Sequence, residues 1–425
     1  MKKLCIVSCP IATRSGYGSR ARDFVRSLIQ VKGEEWDIKV LPQRWGNTPQ
    51  TALTDGVDND LISRLTTSVT QKPDVWIQIT IPNEFQPVGN FNIGVSAVIE
   101  TDSASPAFIE GCNRMDLTIV SSNHSKKTLE VSYDKLDEKT KQKIGELKLE
   151  KPVEVLFEGF DENVYDNTKP IHKSVNDVLS SVKEDFAFLF VGHWLPGELM
   201  QDRKNVSGLI KTFLESFKNK TKKPALILKT SIVSPSITNV HEIRKRIDLI
   251  KSTVDSKNLP NIYILDGDLS DDEMNSLYNH SKVKAHVSLT RGEGFGRPLL
   301  EACISGKPII ASNWSGHLDF LHKDYNFLVG GNLEQVHPSA ANDWILKESN
   351  WFTINYGEVS NTMKYIYENH TKCLEMSRKN RKFVKDNFTF NKMTEKLGEI
   401  LNNTNAGKGP QQMTLQLPKL KKMNG

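Results

Sequence analysis

Short apolar runs alternate with amphipathic stretches along most of the chain. The apolar runs are rich in β-branched and aliphatic residues, as buried parallel strands are, and they fall at residues 1–10, 37–41, 75–81, 92–99, 116–121, 153–156, 187–191, 225–230, 261–265, 283–289, 309–311 and 326–329. The amphipathic stretches predict helices over residues 20–31, 106–115, 126–132, 206–217, 240–252, 272–280, 299–304, 377–387 and 393–401. Strands that alternate with helices predict an α/β fold built on parallel sheets.

Two segments interrupt this alternation. Residues 135–151 are densely charged and predict an exposed helix or an insertion. Residues 403–425 combine lysines with glycine, proline and glutamine, and no acidic residue follows residue 405. This composition predicts a flexible basic tail.

Composition narrows the class of protein. A chain of 425 residues is long enough for two or three domains. No apolar run approaches the roughly 20 residues of a membrane-spanning helix, so we expect no stable membrane insertion. The five cysteines are scattered and form no C-x-x-C pair, which indicates reduced thiols and a cytoplasmic location. The net charge of +5 suits an anionic donor, a nucleic acid or a membrane surface, and selects none of them.

The chemistry concentrates in residues 283–313, which read as strand, glycine loop, helix and strand. Glu293 follows a predicted parallel strand, at the sheet edge where α/β proteins place their ligands. Gly294 and Gly296 allow backbone N–H groups to approach an anion closely. Glu301 lies in the first turns of the next helix, so its carboxylate can point to the same place. Two carboxylates beside a phosphate cradle suit a sugar nucleotide.

The run E-G-F-G-R-P-L-L-E from Glu293 to Glu301 resembles the E-x7-E signature of retaining glycosyltransferases with the GT-B fold, of the family 4 type. The resemblance implies two Rossmann-like domains facing a cleft, and a nucleotide-sugar donor, most commonly a UDP-sugar. It implies no bound metal and no cofactor. Glu293 would orient the donor sugar and act in catalysis, Glu301 would hold the ribose, and the amides of Gly294, Phe295 and Gly296 would hold the diphosphate.

Other donor-side residues follow from the same resemblance. Lys204 matches the lysine that the family uses for the diphosphate, whereas His193 stands where the family has an arginine. Arg203 is therefore the candidate for the second cation. In the run D-G-D-L-S, Gly267 and Leu269 would contact the nucleotide base through backbone atoms; we do not interpret this D-x-D as a metal site.

The first half of the chain would form the opposite wall of the cleft. Gly16 and Gly18 resemble the amino-terminal glycine loop that faces the donor phosphates, although a tight turn would need the same glycines. Glu100 and Asp102 are candidates to hold an acceptor hydroxyl, Glu100 as a catalytic residue, and a helix cap is the alternative for Asp102. We expect Tyr17 and Trp45 on the acceptor side. Trp45 could equally stack on an acceptor or fill the core beneath its loop.

The resemblance also implies the domain plan. Residues 1–168 would form an acceptor-side Rossmann-like domain and residues 169–387 a nucleotide-sugar-binding one. Residues 388–402 would form a helix that crosses back to the first domain, ahead of the basic tail at 403–425. Residues 332–350 depart from the short connection that is usual in the family.

The acceptor is the open question. The runs R-S-G-Y-G, R-D-F-V-R and R-W-G-N-T-P resemble phage-encoded glycosyltransferases, some of which attach sugars, including arabinose, to hydroxymethylcytosine in DNA. We therefore expect glucosyl or arabinosyl transfer to 5-hydroxymethylcytosine in double-stranded phage DNA, in the host cytoplasm. The alternatives are a glycan or lipid-linked-sugar glycosyltransferase at a membrane surface, a sugar-nucleotide epimerase and a non-catalytic binding module. Oligomeric state is not readable from the sequence.

Overall fold

The computed structural model of the protein describes residues 2–137, 139–232 and 237–404. The predicted tail therefore lies outside the described residues from residue 405 onward. Two six-stranded sheets, each with helices on both faces, make up most of the described chain. The predicted pair of Rossmann-like domains is confirmed.

The first sheet is entirely parallel, with strand order β2-β1-β3-β4-β5-β8. Its strands are buried on both faces because helices cover them, which explains their continuous apolar runs. The strands of this half are β1 Lys3–Cys9, β2 Trp36–Pro42, β3 Val75–Ile79, β4 Phe91–Ser96, β5 Leu117–Val120, β6 Tyr133–Leu136, β7 Lys143–Leu147 and β8 Val153–Val155. The helices are α1 Gly16–Lys32, α2 Asn59–Ile62, α3 Pro106–Arg114 and α4 Asn123–Thr128.

The second sheet is also parallel, with strand order β11-β10-β9-β12-β13-β14. Its strands are β9 Ala187–Val191, β10 Ala225–Lys229, β11 Ile262–Leu265, β12 Val283–Ser288, β13 Ile309–Ser312 and β14 Phe327–Val329, followed by an antiparallel hairpin of β15 Gly331–Gln335 and β16 Asn350–Ile354. Its helices are α5 Lys173–Leu179, α6 Val206–Phe217, α7 Ile237–Ser252, α8 Asp271–Asn279, α9 Arg297–Cys303, α10 Tyr356–Glu368 and α11 His370–Asn387; α12 Phe390–Asn403 ends the described chain.

Each sheet reverses its strand order once, and ligands of open α/β sheets bind at such switch points. In the first sheet the reversal lies between β1 and β3, and in the second between β9 and β12. The loops that leave these strands at their carboxyl ends face each other across one cleft. The topology alone thus indicates where the site lies.

The last helix returns to the first domain, as predicted. The chain crosses between the domains twice, and the two crossings pair at Phe160 and Thr389. Helix α12 then packs on α1, where Ser27 Oγ lies 2.9 Å from Thr394 Oγ1. Leu397 is buried in the first domain's core, so the end of the chain stabilises the beginning.

Several predicted elements differ from the structure; helix α11, for example, begins at His370 rather than at residue 377. Helix α1 begins at Gly16 rather than at residue 20, because Ser15 caps it through a bond from the Gly18 amide. The expected glycine loop is therefore the first helical turn. Residues 135–151 contain the end of β6 and all of β7, which pair as a β-hairpin, rather than a helix. Gly145 in β7 is a poor helix former.

The unusual segment 332–350 fastens the two domains together. Trp344 stacks on Phe108 of α3 with ring centroids 5.7 Å apart, and Ile345 packs against the same first-domain cluster. Asn350 donates through its backbone N–H and its side-chain amide to the two oxygens of Asp102, at 2.8 and 2.9 Å. An extended connection of the second domain is thus a structural contact with the first.

Candidate active site

A cavity of about 510 Å³ lies between the two domains. The second domain contributes its glycine loop and a set of basic side chains, and the first domain contributes aromatic and apolar groups together with Arg20, Glu100 and Glu158. Predicted residues that line the cavity are Gly16, Tyr17, Trp45, Glu100, His193, Arg203, Lys204, Glu293, Gly294, Phe295 and Gly296. The structure therefore brings together most of the residues that the sequence singled out.

Four charged side chains form the centre of this cavity. Lys204 Nζ lies 2.5 Å from Glu293 Oε1. Arg203 Nη1 contacts Glu100 Oε1 at 2.9 Å and lies 3.8 Å from Glu293 Oε2. Because Glu100 belongs to the first domain and the other three to the second, Arg203 joins the predicted catalytic carboxylates across the cleft.

The ionisation of this cluster follows from burial and mutual attraction. Burial raises the pKa of Glu293, but the nearby Lys204 and Arg203 outweigh it and hold that pKa below its ordinary value. Burial lowers the pKa of Lys204, and the Glu293 carboxylate opposes this effect. Burial and the charge of Lys204 also lower the pKa of His193. His193 is consequently a neutral imidazole at pH 7 and does not replace the family's arginine as a cation.

The glycines before α9 have two distinct reasons to be glycine. A Cβ on Gly292 would clash with the backbone oxygen of Glu100, and one on Gly294 would lie 2.9 Å from Ala97. These two glycines make room for the first domain. Gly296 instead has φ +97°, in the left-handed region that favours glycine. Within the described part of the chain, the amides of residues 294–296 donate no hydrogen bond, so they are available to an anion.

Glu301 does not line the cavity directly. Its Oε1 accepts a hydrogen bond from Arg297 Nε at 2.9 Å, and its Oε2 accepts one from the Tyr278 hydroxyl at 3.2 Å. Arg297 and Pro298 line the cavity in front of it. Burial raises the pKa of Glu301 to about 7, and Arg297 limits that rise. The second carboxylate of the motif is thus held behind a guanidinium.

On the first-domain side, Tyr17 and Trp45 form a stacked pair with ring centroids 4.1 Å apart and planes 22° from parallel. The Tyr17 hydroxyl lies 2.9 Å from Ser96 Oγ and accepts a hydrogen bond from the Ala97 amide at 3.1 Å. Both rings line the cavity. Trp45 therefore lies at the cleft, against a tyrosine whose position is set by two hydrogen bonds.

Four predicted residues lie elsewhere. Gly18 is buried against Thr13, and its amide donates to the hydroxyl of Ser15, the residue that caps α1. The Asp102 carboxylate is occupied by Asn350. Gly267 and Leu269 lie outside the cavity lining, although Lys229, which does line it, donates to the Gly267 carbonyl at 2.7 Å.

Several residues at the cavity were not predicted from the sequence. Arg20, Glu158, Lys229, Met274 and Arg297 all line it. Lys229 is the last residue of β10, and Glu158 follows the end of β8 by three residues. Their positions at the carboxyl ends of strands could have marked them as site residues. Arg20 and Arg297 lie on helix faces, and only the approach of the two domains brings them to the cleft.

Among the described residues, none of the helices is both long and apolar enough to cross a membrane. In the same described ranges there is no group of three or more His, Cys, Asp or Glu side chains arranged to hold a metal ion.

Comparison with known proteins gives two kinds of result. The family model described as "Glycosyl transferases group 1" matches residues 182–351, which contain β9 to β15 and the whole glycine-loop region. A search of curated proteins found no match.

Solved structures share the fold along nearly the whole chain. Three examples each cover 95% of this chain. The Anabaena protein HepE in complex with UDP and glucose is 13% identical, with a TM-score of 0.59 and 100% of its chain covered. A glycosyltransferase from Rickettsia africae is 15% identical (TM-score 0.60, 100% covered). Sucrose-phosphate synthase from Thermosynechococcus elongatus is 11% identical (TM-score 0.60, 98% covered). The group 1 domain, within this two-domain GT-B fold, identifies the chain as a glycosyltransferase.

Proposed function

We propose that this glycosyltransferase is of the retaining, family 4 type and transfers a sugar from a nucleotide sugar, with UDP as the nucleotide, to an acceptor hydroxyl. The observation that supports this most is the Lys204–Glu293 pair in the interdomain cavity, beside the amides of residues 294–296, which donate to no group in the described part of the chain. A cation and free amides suit a diphosphate, and a carboxylate suits sugar hydroxyls. The UDP and glucose bound to the HepE protein are consistent with such a donor.

The proposed reaction needs no strong base from the protein. The bond between the anomeric carbon and the diphosphate oxygen breaks as the acceptor oxygen attacks from the same face. The acceptor's proton passes to the departing phosphate oxygen, so charge and atoms balance. Negative charge grows on the diphosphate, and Lys204 with the loop amides stabilises it. Metal and cofactor are not part of this proposal.

The carboxylates would orient substrates. Glu293 would accept hydrogen bonds from the donor sugar while Lys204 shifts toward the diphosphate. Glu100 would hold the acceptor hydroxyl, with Arg203 keeping the two carboxylates apart at a defined spacing. Glu301 would accept hydrogen bonds from the ribose.

For the acceptor, we propose 5-hydroxymethylcytosine in DNA, with glucosyl or arabinosyl transfer. Two features favour a flat, anionic acceptor: the stacked Tyr17–Trp45 pair on the first-domain wall and the excess of basic over acidic residues in the chain. Aromatic side chains at nucleic-acid sites stack with bases, and an enzyme reaches an atom of a paired base by extruding it.

The test is a mass-spectrometric donor and acceptor screen. Purified protein is incubated with UDP-glucose, UDP-arabinose, ADP-glucose and GDP-mannose, with and without hydroxymethylcytosine duplex, and nucleosides are analysed after digestion. We expect one donor to add its sugar mass to 5-hydroxymethyl-2′-deoxycytidine. Glu293→Gln should abolish transfer. Lys32→Gln, which removes an ion-paired charge about as exposed as Glu293 but at the far end of α1, should not.

Other outcomes have defined meanings. Slow release of UDP without a DNA product would refute the DNA acceptor and leave a glycan or lipid-linked sugar. A changed UDP-sugar without any acceptor would indicate an epimerase. If no nucleotide sugar is bound or consumed, the proposed function is wrong.

A further inference from the structure

The side chain of Arg297 connects the two domains at the edge of the cavity. It lies at the first position of α9, where its Nη1 contacts the Asp23 carboxylate on α1 and lies 3.9 Å from Glu158 Oε2. Its Nε bonds Glu301 at 2.9 Å. One guanidinium is therefore shared between two carboxylates of the first domain and one of the second.

Glu301 depends on this guanidinium for its orientation. Its two oxygens are occupied by Arg297 and by the hydroxyl of Tyr278, and its side chain is only 9% exposed. Arg297 lines the cavity and Glu301 does not. A nucleotide in the cavity thus meets the guanidinium first, and what that guanidinium does decides how much of the carboxylate is available.

We propose that Arg297 is a positioning residue that prepares Glu301 for the nucleotide's ribose, and that Asp23 makes this preparation depend on the first domain. The inference rests on the proposed function, because it takes from there the ribose-binding role of Glu301. It adds a residue in the other domain that controls donor affinity without contacting the donor.

The physical reason is competition for one cation. When the domains are closed, Asp23 and Glu158 share the guanidinium, so Arg297 holds Glu301 through Nε alone and the remaining lone pairs of the carboxylate can accept ribose hydroxyls. When they separate, Glu301 is the remaining anion of this group, and Arg297 pairs with it alone. Closure and nucleotide binding therefore favour each other, and this coupling is reciprocal.

The experiment is a double-mutant cycle read by calorimetric titration with UDP. Asp23→Asn removes the charge but keeps the shape, and Asp23 lies outside the cavity lining. We expect Asp23→Asn to weaken UDP binding about tenfold, within the usual range of such couplings. In a Glu301→Gln background the same change should alter affinity by less than about twofold, because the residue through which it acts is gone.

A matched control uses the same helix. Arg26 on α1 pairs with Asp58 and Asp60, both in its own domain. Arg26→Gln should lower stability at least as much as Asp23→Asn and leave UDP affinity unchanged. If both variants weaken UDP binding equally, the effect comes from a disturbed helix and the inference is refuted.

The pH dependence of UDP affinity provides a readout that general destabilisation would not move. Among the residues that the structure describes, four face the Glu301 carboxyl: Arg297 on α9, Asp271 and Tyr278 on α8, and Tyr165 after β8. Burial raises its pKa and Arg297 opposes the rise. Arg297→Gln should therefore move the rise of UDP affinity to higher pH, and Arg297→Lys should move it partly back.

The two proposals fail in different ways. If the wild-type protein does not bind UDP, the proposed donor is wrong and this inference falls with it. If wild-type binds UDP but Asp23→Asn binds equally well, or weakens binding to the same extent with and without Glu301, only the role given to Arg297 and Asp23 is wrong.

Discussion

Replacement of Lys204 by glutamine separates the two tasks of that side chain. In the free protein, Lys204 is the closest partner of Glu293, at 2.5 Å, and only 16% of its side chain is exposed. During the proposed reaction the same ammonium would stabilise the departing diphosphate. Glutamine keeps most of the length and volume and removes the charge, so folding and catalysis should respond to different extents.

The magnitudes follow from the neighbours that remain. Breaking a buried ion pair usually costs about 3–5 kcal/mol, because the other charge is left alone. Here Arg203 stays 3.8 Å from Glu293, so the loss should be nearer that of a charged hydrogen bond, about 1.5–3 kcal/mol. In catalysis, removal of one group that stabilises developing charge costs about 10²–10³-fold in kcat.

The assay combines urea unfolding with steady-state turnover of the donor found in the screen. Lys32→Gln serves as the control, since Lys32 is 12% exposed and ion-paired to Glu35, away from the cavity. It should lose stability but keep kcat. A Lys204→Gln protein whose kcat falls less than about tenfold, at unchanged KM, would refute the assignment of Lys204 to the diphosphate.

Three further predictions concern stability and the domain contact. Glu301→Gln should be more stable than wild type above pH 7, by up to about 3 kcal/mol, and equally stable below pH 4. The pKa of Glu301, raised to about 7, makes the folded wild-type protein hold a proton that the unfolded chain releases. The stability of the wild type therefore falls as pH rises from 4.5, the ordinary pKa of a glutamate, to 7. Urea unfolding at pH 4 and 8.5 tests this, and a less stable variant at pH 8.5 would contradict it. Gly294→Ala should cost about 1–3 kcal/mol and expand the molecule in X-ray scattering, because its Cβ would press on Ala97. Trp344→Ala should cost about 1–2 kcal/mol through the lost stacking on Phe108, and an unchanged unfolding curve would show that this contact contributes nothing.

The repeating strands and the glycine-loop motif were predictable because they are local. Residues 283–289 must be a buried strand for their apolar run to be covered, and the break at Gly296 needs the left-handed φ that it has. Lys204 and Glu293 were predictable by resemblance, and the structure brings them into contact.

The residues whose roles could not be predicted are those that act through contacts between the two domains. Nothing local marks Gly292 as a contact for Glu100, or Arg297 as a partner of Asp23 on a helix 274 residues earlier. Asp102 follows a strand as a ligand-binding residue would, yet a long connection from the other domain occupies its carboxylate. The predicted start of α1 at residue 20 was wrong because two glycines, which are poor helix formers, stand in its first turn; in the structure Ser15 caps that turn.

The hydrogen bonds that hold the Gly294 carbonyl also fix the direction of the Phe295 N–H. Ser122 of the first domain donates its hydroxyl to this carbonyl at 2.5 Å, and Ser121 Oγ lies 3.2 Å away. In a planar trans peptide the C=O and N–H bonds point in opposite directions, so the serines that hold the oxygen also aim the Phe295 hydrogen away from themselves. That dipole is oriented before any substrate arrives, and no reorganisation is required of it while charge moves. Separation of the domains would release the Gly294 oxygen and let the peptide plane rotate. The Phe295 N–H would then no longer be aimed to stabilise the departing diphosphate, so the donor would stay intact in the open protein.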